Sequence, residues 1–159
     1  MPEWIRIPAL SLVLTALLGA LPATASETDN GFYEALGERA GIENMVRDLL
    51  HRIVRDERIA SQFQGIDVQR FHRNLSDQLC ELSGGPCRYE GESMRSAHAG
   101  MGITETQFNA VTEHLIEAME SEDVPTWAQN RLLAELVPMH GDIVDVPGEP
   151  LRNPSEQVE

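Results

Sequence analysis

The chain has no lysine. All 12 of its basic side chains are arginines, set against 26 aspartates and glutamates, and the formal net charge is −14. A surface so poor in positive charge argues against nucleic acid or anionic membrane as partners and predicts an acidic, soluble protein. Long apolar runs are missing too. Residues 10–21, between Pro8 and Pro22, fall short of the ~20 apolar residues that a membrane-spanning helix needs. No stretch alternates polar and apolar residues for long enough to make a sheet, no internal repeat is present, and there is no nucleotide-binding motif or reductase domain. Aromatic residues make up only 5% of the chain, but 42% of it is apolar, which over 159 residues suffices for one domain with a real core.

The two ends read differently from the middle. Arg6 and the amino terminus precede the apolar run, and Ala23-Thr24-Ala25 before Ser26 has the small-x-small form of a signal peptidase site. Residues 1–25 therefore read as a secretory signal peptide, with a membrane anchor as the competing reading. Cleavage would place the protein in a bacterial periplasm or outside the cell, with no membrane span left. Residues 26–30 are polar and read as a flexible new terminus. Residues 146–159 carry Pro147, Gly148, Pro150 and Pro154 among acidic side chains, without periodicity, and read as a disordered acidic tail. That leaves residues 31–145 as the folded domain.

Inside it the periodicity is helical throughout, so the expected class is all-α. Phe32, Tyr33 and Leu36 make a short first helix that Gly37 breaks. Ile42, Met45, Val46, Leu49, Leu50 and Ile53 form one continuous stripe on a second. A short segment over 59–63 follows, and then Asp67 can cap a helix with Val68, Phe71, Leu75 and Leu79 inward. Gly84-Gly85-Pro86 ends it. Thr104 and Gln107 form a capping box opening a long helix with Phe108, Val111, Leu115, Ile116 and Met119 apolar. Pro125 begins the last helix, in which Trp127, Leu132, Leu133, Leu136 and Val137 read as core and Pro138 predicts a kink or an early end.

The stretch 84–104 concentrates the chemistry. Ser93 can cap a short helix that Gly100 and Gly102 stop, with Met94 and His98 four residues apart on one face. Ala97, Ala99 and Gly100 let a flat ligand approach the backbone, and Met94 and Met101 can pack on it with polarizable side chains. Those are fitting surroundings for a haem held through one imidazole. The pattern G-G-P-x-x-Y-x-G-x-x-M-x-x-A-H-x-G-x-x-I-T closely resembles the region around the proximal histidine of group 1 truncated haemoglobins. The likeness continues through Phe32-Tyr33-Glu34-Ala35-Leu36-Gly37 and residues 46–53, and beyond through Phe108, His114-Leu115 and Val124-Pro125. Relatives usually have two glycines in the first hinge, where this chain has Gly37-Glu38-Arg39-Ala40-Gly41, a change that stiffens it.

The resemblance implies a two-over-two helical globin enclosing haem b, with His98 as the iron ligand. His51, His72, His114 and His140 compete for that role, and a lone helical histidine is usually a surface or core residue, so the motif singles out His98. Its second ring nitrogen should donate to a nearby backbone carbonyl. Arg95 and Tyr89 match positions that relatives use for the haem propionates, with Asn74 as a further donor. Phe63 matches the phenylalanine that wedges against the haem, and Leu79, Ile103, Phe108 and Val111 complete the lining. Relatives place a tyrosine and one or more glutamines on the distal side, where this chain has Leu50, Phe71 and Leu75. An apolar distal pocket predicts weak retention of dioxygen and relatively good carbon monoxide binding.

Cys80 and Cys87 exclude the C-x-x-C-H pattern of covalent attachment, so the haem is expected to be non-covalent. In an exported chain the pair is most simply a disulfide, with two thiols or a metal pair as alternatives. The first functional reading is a non-enzymatic haem protein that binds oxygen, carbon monoxide or nitric oxide. The alternatives are a nitric oxide dioxygenase served by an external reductase, a bis-histidine electron-transfer protein using His51 or His72, and an interaction domain without haem.

Overall fold

The computed structural model describes residues 27–145, so the signal peptide and acidic tail read from the sequence lie outside the described residues. Helix α1 (Glu27–Ala35) begins four residues ahead of Gly31, and the stretch that composition assigns to a flexible terminus is mostly helical. Helix α2 (Glu38–Ile53) follows after Gly37, whose φ of +75° reverses the chain. The two helices meet closely: a Cβ on Gly41 would lie 2.4 Å from the Leu36 carbonyl oxygen, so only glycine fits there.

Six side chains of α2 are buried, Ile42, Met45, Val46, Leu49, Leu50 and Ile53, the stripe that the sequence predicts. A 3₁₀ turn (Ala60–Phe63) leads to α3 (Val68–Leu82), capped by the Asp67 carboxylate, which accepts from the Arg70 amide at 3.0 Å. After a loop comes α4 (Met94–His98), then α5 (Glu105–Ser121), α6 (Thr126–Leu136), a 3₁₀ turn (Val137–Met139) and α7 (His140–Ile143). Both sides of the Thr104/Gln107 capping box form. α2 packs against α3 and α5, and the buried core runs through α1, α2, α3, α5 and α6.

Three core expectations fail, each for a local reason. Val68 points the same way as Leu75 and Leu79 but sits at the open start of α3 and is 56% exposed. Trp127, on the first turn of α6, is 52% exposed; its ring approaches Phe32, which also carries the Arg131 guanidinium 4.5 Å above it. Val137 is 67% exposed because Pro138, which has no N–H to give, turns the chain into the 3₁₀ turn and takes Val137 off the α6 stripe. Pro138 thus ends the helix early, as its position predicts.

Candidate haem site

The end of α3 is tied covalently to the loop that leads to α4. Cys80, fully buried on α3, is bridged to Cys87 in the loop, with Cα atoms 5.7 Å apart, which settles the pair as a disulfide. The Arg39 guanidinium reaches this corner from α2, bonding Glu43 at 2.6 Å and Asp77 at 2.5 Å and lying 3.3 Å from the Cys87 sulfur. Farther along the loop the Tyr89 hydroxyl donates to the Glu92 carbonyl at 2.7 Å, and burial pushes its phenol pKa up. Ser93 then caps α4 through the Ser96 amide, and Ser96 in turn donates to Glu92. Gly100 and Gly102, with φ of +74° and +63°, end it.

These devices fix one imidazole. Nδ1–H of His98 donates to the Met94 carbonyl at 2.8 Å. A carbonyl only accepts, so the proton of the neutral ring is on Nδ1 and Nε2 keeps its lone pair. That nitrogen has no partner among the described residues, and the ring is half-buried. This is the orientation that a metal-binding histidine requires.

The other histidines are placed differently. Nε2–H of His72 donates to the Glu43 carbonyl on α2 at 2.9 Å, and His51 is exposed. His114 lies between Asp56 and Glu117, and His140 pairs with Glu105 while its ring meets Phe108 edge-on at 4.7 Å.

A set of incompletely covered apolar side chains suits a flat apolar group. Phe63, Phe71, Leu75 and Val111 are half-buried against the core, and Phe63 meets Phe71 edge-on at 5.5 Å. Phe108 and Met94 are also half-buried, whereas Leu50, Leu79 and Ile103 are buried. Met101 is 38% exposed. Arg95 is held by Asp142 of α7, and the Tyr89 hydroxyl by Glu92, so both expected propionate donors are engaged within the protein. Asn74 is half-buried.

A model of the bacterial-like globin family matches residues 31–145. The chain is 30% identical to a group 1 truncated haemoglobin of Nostoc commune, over 71% of this chain and 96% of the relative. The chain belongs to the group 1 truncated haemoglobins. Its fold is similar to the truncated haemoglobin of Tetrahymena pyriformis in its Fe(III) form, with a TM-score of 0.69 and 26% identity over 72% of this chain and 98% of that one. The 2/2 haemoglobin of Synechococcus sp. PCC 7002, solved with covalently attached haem, superposes with a TM-score of 0.66 and 25% identity, over 71% and 97% of the two chains.

This truncated haemoglobin is thus a haem globin, and the residues present fit the group. Sequence reasoning missed Gln78. It lies seven residues beyond Phe71 and three beyond Leu75 on the same face, and its buried amide donates to the sulfurs of Met94 at 3.5 Å and Met139 at 3.4 Å. Helical spacing alone would have pointed to it. Met139 itself gave no signal, because the turn that carries it is set by Pro138. The buried hydroxyl of Ser76 has no hydrogen-bond partner.

Proposed function

We propose that this truncated haemoglobin binds diatomic gases reversibly at a non-covalent haem b ligated by His98 alone. The observation that carries the reading is the His98 ring, with Nδ1 bonded to the Met94 carbonyl and Nε2 free of protein partners. Haem, when bound, supplies an iron with one coordination position open to the gas. The chain's own part is to hold the imidazole in the tautomer that presents a lone pair and to keep water from the apolar walls. Leu50, Phe71 and Leu75 have no N–H or O–H in their side chains, so they exclude solvent without offering a hydrogen bond. Such a site favours fast exchange over long storage.

His72 supports one protein ligand rather than two, because its Nε2–H is committed to the Glu43 carbonyl of α2. The chain has no C-x-x-C-H pattern, but its Synechococcus relative carries covalent haem, so attachment is tested directly. Acid-acetone extraction should move all the haem into the organic phase, and haem retained on the protein would refute the non-covalent reading. Spectra of the ferric and ferrous protein without added ligand should be those of iron with a single histidine. A low-spin bis-histidine spectrum would overturn the assignment.

The 1–25 pattern and the Cys80–Cys87 bridge support an oxidising compartment outside the cytoplasm. Amino-terminal sequencing of protein from the periplasmic fraction should begin at Ser26, and a chain that retains Met1 would count against export.

A further inference from the structure

A cavity lies between α2 and α3 and shares Leu50 with the distal wall assigned above. It has a volume of about 420 Å³. It is lined by Arg47, Leu50 and His51 of α2 and by Val68, Gln69, His72 and Arg73 of α3. No carboxylate lines it, although acidic residues outnumber basic ones 26 to 12 in the chain.

Among the other described arginines Arg55 and Arg88 also lack an ion pair, but most are neutralised. Arg39, Arg52, Arg58, Arg70 and Arg95 each face an acid within 4 Å. The surface cavity at the carboxyl end of α2 shows a partial contrast: Arg52, Arg55, Arg58 and His114 line it, and all but Arg55 are paired with an aspartate or glutamate. Around the first cavity Arg47 donates only to the Asn44 side-chain oxygen at 2.7 Å, and Arg73 has no hydrogen bond or ion pair among the described residues. The guanidinium charges therefore stand without an acidic partner beside the apolar side chains of Leu50 and Val68, where fixed charge attracts anions.

We infer that this cavity binds a small amphipathic carboxylate. A planar carboxylate matches the guanidinium fork, with up to two parallel N–H···O bonds per arginine. A bare inorganic anion would leave most of the volume and the exposed Val68 surface in water. A cavity of this size lies within the range of small-molecule sites and accommodates an acid of roughly ten heavy atoms. His72, through its Nδ1, and the His51 ring, both free of partners among the described residues, belong to the same lining.

The test is an NMR titration of the full chain with octanoate, with octanol, acetate and phosphate as separate arms. Octanoate should shift the ring resonances of His51 and His72, and octanol, acetate and phosphate should each bind at least tenfold more weakly. The double substitution Arg47→Gln with Arg73→Gln should weaken octanoate at least tenfold. Val68→Asp, at an exposed position where folding is undisturbed, should abolish binding by placing a negative charge in the lining. Equal octanoate affinity in the double variant would overturn the proposal. So would acetate or phosphate binding as tightly as octanoate, or shifts centred on His98 instead of His51 and His72.

Discussion

The two walls of the candidate haem site are held by opposite means. The α4 wall is a helix of five residues with no buried side chain, positioned by polar bonds: the Ser93 cap, Tyr89 to Glu92, Arg95 to Asp142 and His98 to its own Met94 carbonyl. The α2 and α3 wall is held by burial, with six apolar residues of α2 covered and Leu79 and Cys80 of α3 fully enclosed. Directional bonds fix the angle of a ring, as a ligand to metal needs. Burial fixes only the shape of a surface, and a surface is what excludes water.

The largest effect expected from breaking this contrast is His98→Ala. On the proposed assignment the variant loses haem, seen as a vanished Soret band with the helical far-ultraviolet signal kept; a retained spectrum of unchanged stoichiometry would refute it. Next comes the bridge from α3 to the loop before α4. Cys80 to Cys87 closes a short loop, and reduction should cost about 2 to 3 kcal/mol by the chain-entropy model, measurable as a lower urea midpoint in the reduced protein. An unchanged midpoint would show that the bridge only decorates a corner already held by Arg39.

Adding a directional bond to the apolar wall tests it from the other side. Leu50→Tyr places a hydroxyl where the chain has none, and a hydrogen bond worth about 1.5 to 3 kcal/mol should slow dioxygen release roughly ten- to a hundredfold in stopped-flow measurements. Equal release from both proteins would mean that another donor already defends the pocket. A smaller effect is expected of Ser93→Ala, which removes the α4 cap and should cost about 1 kcal/mol. The smallest is Ser76→Ala. Its hydroxyl is buried without a partner, so the change should be neutral or slightly stabilising in a denaturant titration, and a loss above about 1 kcal/mol would reveal a bond that the structure lacks.

How much of this was legible depends on the range of each interaction. The stripe on α2, the caps at Asp67, Ser93 and Thr104, and the stop at Pro138 all rest on residues within a few positions of one another, and each is found where the sequence puts it. Val68, Trp127 and Val137 fit the apolar pattern but are exposed, because pattern says which way a side chain points and not whether another element covers it. The Arg95 guanidinium illustrates the same limit: its partner Asp142 is 47 residues away.

By itself the sequence determined helices α2 to α6 and the family, though not the start of α1 or the presence of α7, and through the 84–104 motif it singled out His98 among five histidines. The reason is that helical hydrogen bonds and caps close within about four residues, so their signals survive in the linear order. Only the tertiary structure decided that Nε2 of His98 lacks a protein partner while His72 is tied to α2, that Gln78 bridges Met94 and Met139, and that Arg47 and Arg73 line one cavity. Those facts depend on the packing of helices distant in sequence, which local spacing does not encode.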